Sequence, residues 1–235
     1  MISLQNVSKT YILNKKMVVE AAKNCSLEVS KGEFVVITGR SGSGKTTLLN
    51  LVAGLTFPTS GKVLIDDIEV WNLPDKELSK LRNEKIGFVF QFPSLIPSLT
   101  SLENVILPTI YGSKFSKEEA HKRALQLLDE VGLSDKIGSL PRQLSAGQQQ
   151  RVVIARSLIN SPDLLLADEP TSDLDEQTEH EVMTLFQNIH QRTGITIMLV
   201  THASELVTYG SRSVRMTGGE ITEDRKLFTG EFIPA

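Results

Sequence analysis

The stretch that decides the fold is residues 34–46, FVVITGRSGSGKT, in which a short apolar run leads into a glycine-rich segment. The run Phe34–Thr38 is apolar, rich in β-branched residues and followed by a glycine, which is typical of a buried strand. Residues 39–46 match the pattern GxxxxGKT, and residues 46–53 have the composition of a helix. The stretch therefore predicts a strand, a phosphate-binding loop (P-loop, residues 39–46) and a helix in direct succession.

The residue types of the P-loop suit a bound phosphate. Glycines allow backbone N–H groups to turn inward around an anion, and the N-terminus of the following helix adds its positive dipole. Lys45 can supply a positive charge to the outer phosphates, and the hydroxyl of Thr46 can bind Mg²⁺. We therefore predict that a nucleoside triphosphate is bound by Gly39, Ser41, Gly42, Ser43, Gly44, Lys45, Thr46 and Thr47.

A second apolar run, residues 164–167, ends in the two carboxylates Asp168 and Glu169. Ligands of a doubly wound sheet bind at the carboxyl ends of its strands, where this pair would lie. We expect Asp168 to hold Mg²⁺ through its water shell. Glu169, one residue further on, is placed to polarise an attacking water as the general base.

Residues 144–151, LSAGQQQR, precede a helix that we predict over 152–158, and a helix N-terminus is a natural anion site. At this segment the sequence resembles the ATP-binding subunits of ABC transporters, whose signature is LSGGQ upstream of an apolar strand ending in Asp-Glu. The resemblance implies that Ser145, Gly147 and Gln148 contact the ATP bound by a second copy of the chain. Two chains would then enclose two nucleotides, head to tail.

The resemblance extends over essentially the whole chain and implies roles for four more segments. Gln91, after the predicted strand 86–90, matches the Q-loop glutamine, a ligand of Mg²⁺ and water that senses the transmembrane partner. Residues 172–175 match the D-loop, which communicates between the two sites. His202 matches the switch histidine that contacts the γ-phosphate, and Tyr11 matches the aromatic residue that stacks on adenine.

Two positions depart from the family pattern. Ala146 stands where the signature usually has its middle glycine, and Ala203 follows His202 where the family often has aspartate. Because Lys45, Asp168 and Glu169 are all present, we predict a competent hydrolase with activity that is weakened by these changes rather than lost.

The order of the predicted elements indicates an α/β fold. Strands that alternate with helices favour a P-loop NTPase core with a mostly parallel sheet, and the chain before the P-loop adds an antiparallel β subdomain. Prolines and helical patterns between residues 92 and 159 predict an inserted α-helical subdomain. A single ABC ATPase domain would therefore cover 1–235, with a nucleotide-binding core at 1–91 and 160–235.

Composition limits the partners. The chain of 235 residues carries 25 basic and 28 acidic residues, a net charge of −3, so nucleic acid is not expected as its partner. The single cysteine, Cys25, cannot form an internal disulfide and is predicted to be buried in a strand over residues 21–29. No run of 18 apolar residues and no signal peptide are visible. We expect a cytoplasmic protein that is peripheral on the inner face of the membrane.

Residues 87–91 and 99–105 resemble the branch that serves lipoprotein-releasing and macrolide-exporting permeases, with a cell-division relative close by. The resemblance implies an ATP-hydrolysing homodimer that drives a separate membrane permease docked near Gln91 and residues 92–102. An ATPase that regulates a membrane partner in cell division or cell-wall remodelling without transport remains an alternative. A soluble ABC ATPase of chromosomes or ribosomes is another, although a long coiled-coil insertion and a second cassette are both missing from the sequence.

Overall fold

The computed structural model describes residues 1–14, 17–111 and 115–227, and the chain divides into two compact units, Met1–Leu78 with Thr196–Ala235, and Ser79–Ile195. In the described residues the strands are β1 (Ile2–Asn14), β2 (Met17–Val29), β3 (Phe34–Thr38), β4 (Ser60–Ile65), β5 (Ile68–Glu69), β6 (Ile86–Val89), β7 (Leu164–Asp168), β8 (Thr196–Thr201), β9 (Arg212–Thr217) and β10 (Glu220–Lys226). The α-helices are α1 (Lys45–Val52), α2 (Asp75–Lys85), α3 (Ser101–Ile106), α4 (Lys117–Glu130), α5 (Ala146–Leu158) and α6 (Glu176–Thr193). Short 3-10 helices lie at Val70–Asn72, Leu107–Ile110, Ser134–Lys136, Pro141–Gln143 and Ser204–Tyr209.

The first unit contains an antiparallel sheet of four strands in the order β2-β1-β4-β5. In β2 the buried side chains of Cys25, Leu27 and Val29 alternate with exposed ones, as expected for a strand with one face on a core. The sequence predicts this strand only from residue 21, whereas it begins at Met17.

Four further strands of the first unit surround the P-loop. The central strand β3 pairs in parallel with β8 on one side and β9 on the other, and β9 continues into an antiparallel hairpin with β10. Every residue of β3 and of β8 is buried, which explains why both segments are continuous apolar or β-branched runs rather than alternating ones.

The second unit pairs β6 in parallel with β7, and the regular elements described between these two strands are all helices. Three of the helices begin with a capping box. The hydroxyl groups of Thr100, Ser116 and Ser145 accept the backbone N–H three residues on, and the Glu or Gln side chain at that position accepts the backbone N–H of the cap residue. The predicted α/β class, with an antiparallel N-terminal sheet and mostly parallel core strands, is confirmed.

A largely buried arginine ties the β9–β10 hairpin to the start of β3. The guanidinium of Arg212 donates two hydrogen bonds to the carboxylate of Asp224, one to Glu33 and one to the backbone carbonyl of Glu28, all at 2.7–2.9 Å. Only 12% of its side chain is exposed. These bonds lower the pKa of Asp224 below its ordinary value.

We expect Arg212→Met to lower the free energy of unfolding by about 2–3 kcal/mol, because it leaves Glu33 and Asp224 without their cation. Arg225→Met is the control, since Arg225 also has a carboxylate partner on this hairpin but is 72% exposed, and it should cost less than about 1 kcal/mol. Because the pKa of Asp224 is depressed, its contribution is complete above pH ~4 and is lost as the pH falls through the folded value. Urea unfolding of both variants at pH 7 and pH 3 measures this, and equal losses for both would contradict it.

Candidate functional site

Strand register brings two predicted features of the first unit to one edge. Thr38, the last residue of β3, lies opposite Thr201 of β8 and Arg215 of β9. Because parallel strands end at the same edge, the P-loop leaves β3 beside the exposed His202, which follows directly after β8. The switch histidine and the P-loop, separated by about 160 residues in sequence, are therefore neighbours in this unit.

The P-loop needs its glycines for two different reasons. Gly44 has φ +99°, and a Cβ built there would lie 2.0 Å from the backbone oxygen of Ala21 on β2, so no side chain fits. Gly42 has φ +77° but open space around it, so there the backbone conformation alone selects glycine. The loop is thus packed against β2 at its end and open in its middle.

Lys45 lies inside the loop and not at its surface. Its side chain is buried, and its ammonium group donates to the backbone oxygens of Gly39, at 2.9 Å, and Arg40, at 3.3 Å. Helix α1 begins at this residue, and Leu48 donates to the oxygen of Gly44 as part of its first turn. The cation therefore sits at the positive end of a helix and holds the loop closed around itself.

The loop has room and donors for a polyphosphate. A pocket of 580 Å³ lies beside it, lined by Gly39, Arg40, Ser41, Gly42, Ser43, Arg215, Met216, Thr217, Gly218, Thr222 and Glu223. The hydroxyl of Ser43 is buried and has no hydrogen-bond partner among the described residues. An anion accepting from this hydroxyl and from the loop amides would satisfy both, so the residues present fit the triphosphate predicted from the sequence.

Tyr11 lies on β1 opposite Val19 of β2 and is half-buried. The ammonium group of Lys9 lies 5.0 Å from the centroid of its ring, so a cation already occupies one position near this aromatic side chain. The stacking of adenine on Tyr11 remains a prediction.

In the second unit, the parallel pair β6 and β7 presents the other predicted residues at one edge. Val89 lies opposite Ala167, so Gln91 and the pair Asp168–Glu169 leave the two strands together. Asp168 is buried, and Glu169 has φ +43°, which is uncommon for a residue with a side chain. Backbone strain of this kind collects at functional positions, where it aims a side chain away from the strand direction.

Gln91 also contacts the predicted D-loop. Its amide nitrogen lies 3.4 Å from the hydroxyl of Ser172, at the long end of the range for a hydrogen bond. The Q-loop and D-loop residues are therefore brought together within the second unit, which their separation of 81 residues did not reveal.

The signature segment is part of a helix, which corrects the boundary predicted from the sequence. Helix α5 begins at Ala146, and Ser145 is its N-cap: the Ser145 hydroxyl accepts from the Gln148 N–H at 3.2 Å. The helix was predicted from residue 152 because residues 146–151 lack apolar periodicity. Gly147 lies in the first turn, and a Cβ there would come 2.4 Å from a methyl group of Thr178 on α6, so close helix packing requires this glycine. Ala146, the departure from the family pattern, is exposed.

Sequence analysis missed two side chains that hold the loop of residues 91–100. Arg156 of α5 donates to the backbone oxygens of Pro93, at 3.2 Å, and Ser94, at 2.9 Å. The buried amide of Asn104 accepts from the N–H of Ile96 and donates to three carbonyls of the loop. Both act on main-chain atoms, which carry no residue-type signal. An Asn that follows the capping-box pattern of Thr100 and Glu103 was the only hint available in the sequence.

Several known proteins are similar to this chain over nearly its whole length. The profile of the family described as ABC transporter matches residues 22–172. An uncharacterized ABC transporter ATP-binding protein of Methanocaldococcus jannaschii, MJ0796, is 46% identical over 97% of both chains. Its dimeric structure in a post-hydrolysis state bound to ADP and Pi superposes with a TM-score of 0.88, covering 97% of this chain and 99% of that one.

Two further relatives carry names that fit the branch predicted from residues 87–91 and 99–105. The lipoprotein-releasing system ATP-binding protein LolD 1 of Chlorobium chlorochromatii is 42% identical over 97% of this chain and 93% of its own length. The macrolide export ATP-binding/permease protein MacB of Rhodopirellula baltica is 44% identical over 95% of this chain and 33% of its own length. The predicted branch is therefore confirmed.

Proposed function

The chain belongs to the ABC transporter family and is an ATP-binding ATPase, and from this we propose that it forms a homodimer that drives a separate membrane permease by binding and hydrolysing MgATP. The movement would serve export or mechanical transmission of the lipoprotein-releasing or macrolide type. One observation carries the docking proposal: the backbone of residues 91–100 is held by hydrogen bonds to Asn104 and Arg156, and the loop exposes apolar side chains.

Within each site, the residues divide the work of phosphoryl transfer. Lys45 and the loop amides bind and orient the phosphates, and Tyr11 holds the base. Glu169 accepts a proton from the attacking water, and His202 fixes the γ-phosphate. Positioning and charge stabilisation supply most of the acceleration in such transfers.

The donor set proposed for Mg²⁺ consists of oxygen atoms, namely the Thr46 hydroxyl, the Asp168 carboxylate and the Gln91 amide oxygen. Mg²⁺ prefers such hard ligands, and it usually takes few from the protein because waters and substrate phosphates complete its shell. When bound, the ion would neutralise charge on the phosphates. The proposed residues would hold the ion while Lys45 binds the phosphates.

The second copy of the chain would complete each site through Ser145, Gly147 and Gln148. Ser145 and Ala146, at the N-terminus of α5, are exposed at the protein surface. Closure of two chains would exclude water other than the one beside Glu169, and hydrolysis would reopen them. The dimeric structure of MJ0796 supports this proposal.

We call residues 91–100 the docking loop. Phe92 is 65% exposed and Ile96 38%, and the neighbouring Phe90 is 41% exposed and stacks on Phe88. Exposed apolar side chains on a fixed backbone suit a protein partner, because little conformational entropy is lost when they are covered. No helix among the described residues is long and apolar enough to cross a membrane. A permease bound at this loop would hold the chain at the inner face of the membrane, and we propose no nucleic-acid partner.

The experiment is detergent extraction of membranes that contain tagged Glu169→Gln chain and MgATP, followed by identification of the proteins that copurify. We expect an integral membrane protein with few spans and a large extracytoplasmic domain. Phe92→Asp should lose this partner, because it places a charge at the apolar contact. Phe57→Asp is the matched control, since Phe57 is equally exposed at 64% but lies outside the docking loop, and it should keep the partner.

Other outcomes separate the alternatives. A many-span permease would keep the transport function and overturn the proposed export or mechanical role. Recovery only from the soluble fraction, with a soluble partner, would overturn the permease proposal. Loss of the partner in both Phe variants would overturn the assignment of docking to residues 91–100.

A further inference from the structure

The turn between β9 and β10 is bonded directly to the P-loop. The backbone N–H of Gly219 donates to the backbone oxygen of Ser43 at 3.1 Å. The oxygen of the same glycine accepts from the N–H of Lys23, at 2.8 Å, and from the thiol of Cys25, at 3.2 Å. The two peptide groups that flank Gly219 thus link the P-loop to strand β2.

The two glycines of this turn are in different surroundings. Gly219 is buried at φ +89°, and a Cβ there would lie 3.0 Å from the backbone oxygen of Glu20 and 3.3 Å from the side chain of Lys23. Gly218 is exposed at φ +56°, and a Cβ there would meet nothing within 4 Å. A methyl group costs backbone strain at both positions, but only at Gly219 does it also push the turn away from β2 and the P-loop.

The preceding strand reaches the other end of the loop. A Cβ at Gly39 would lie 2.4 Å from the backbone oxygen of Met216, so β9 and the first residue of the P-loop are in close contact. The loop is therefore held by the hairpin at Gly39 and at Ser43. Both contacts lie within the P-loop, whose amides must face inward to bind a phosphate.

We propose that Gly219 is a positioning residue for ATP binding: its amide fixes the Ser43 carbonyl, and this keeps the amides of the P-loop in the orientation that accepts phosphates. This proposal rests on the proposed binding role of the P-loop. Linkage makes the coupling reciprocal, so bound MgATP stabilises the turn and, through it, the burial of Cys25.

The first test compares Gly219→Ala with Gly194→Ala by calorimetric titration with MgATP and by steady-state ATP hydrolysis. Gly219→Ala should weaken MgATP binding about tenfold and raise KM similarly, with kcat close to that of the unmodified chain, because one backbone hydrogen bond and its geometry are lost. The control is Gly194→Ala at the C-cap of α6, outside the pocket. Gly194 has φ +67°, and a Cβ there would meet nothing within 4 Å, so this variant carries the same kind of φ strain and should keep the affinity within about twofold. Thermal melting of both variants reports stability separately.

The second test uses the unmodified chain, so it stands even where Gly219→Ala does not fold. Cys25 is the only cysteine of the sequence, is 1% exposed, and has a thiol pKa that burial raises, so a thiol reagent reaches it only when the turn opens. Saturating MgATP should slow its reaction with Ellman's reagent about tenfold. The control is Cys25→Ser combined with Val63→Cys, which places the thiol at a buried position of β4, and MgATP should protect it much less.

Each outcome decides one point. Equal affinities for Gly194→Ala and Gly219→Ala, or equal protection of the thiols at 25 and 63, would overturn the positioning role while leaving the ATPase function intact. Failure of the unmodified chain to bind MgATP would instead overturn the proposed function of the P-loop.

Discussion

Lys45→Ala is expected to abolish tight MgATP binding, with affinity falling about a hundredfold or more. The buried ammonium group of Lys45 is bonded to the oxygens of Gly39 and Arg40 and lies at the N-terminal end of α1. The substitution removes the cation that faces the outer phosphates, and it also removes the brace that holds the loop. Hydrogen bonds to charged groups each contribute about 1.5–3 kcal/mol, so losing two that Lys45 would donate to the phosphates accounts for this magnitude.

Calorimetric titration with MgATP measures this effect, with Lys31→Ala as the control. Lys31 is an exposed lysine in the turn before β3, so its loss changes the net charge equally and leaves the P-loop intact. Tight binding retained by the Lys45→Ala chain would show that Lys45 is not needed to hold the phosphates.

Glu169→Gln is expected to lower the turnover of ATP by about 10²–10⁴-fold while MgATP affinity is preserved. The substitution keeps the shape of the side chain at a position where the backbone is held at φ +43°, and removes only its ability to accept a proton. Because chemistry is blocked and binding is not, the effect should appear in kcat and leave the dissociation constant unchanged.

Single-turnover hydrolysis and equilibrium binding, measured on the same preparation, separate these two quantities. Glu176→Gln is the matched control, since Glu176 is an exposed glutamate in the first turn of α6, and its turnover should stay near that of the unmodified chain. Unchanged turnover in Glu169→Gln would show that a group other than Glu169 is the general base.

Much of the fold follows from local sequence because its central strands are buried on both faces. Such strands form continuous apolar runs, and β3 was predicted with the bounds it has, while β7 was predicted one residue short at Asp168. The predicted start of α5 was wrong because residues 146–150 show no helical periodicity of apolar side chains. A capping box was nevertheless present in Ser145 and Gln148, and its Ser-x-x-Gln spacing was the usable signal.

The candidate site was predictable where its chemistry lies in contiguous motifs, as in the P-loop and at Asp168 and Glu169. It was not predictable where support comes from a distant segment acting on main-chain atoms. Arg156 binds carbonyls 62 and 63 residues away, and Gly219 binds the Ser43 carbonyl across 176 positions of sequence. Only folding brings such partners together. The acceptors are backbone carbonyls, which every residue type has, so the sequence gives no sign of these bonds.

Mixing two inactive variants tests whether each ATP is enclosed by the P-loop of one chain and the N-terminus of α5 of another. Lys45→Ala removes the P-loop function, and Ser145→Arg places a bulky cation at the exposed N-cap of α5. In a mixed dimer, one site combines the intact P-loop of the Ser145→Arg chain with the intact signature of the Lys45→Ala chain. We predict ATP hydrolysis by the mixture well above the sum of the two variants alone; no gain on mixing, with both variants folded, would contradict a site shared between two chains.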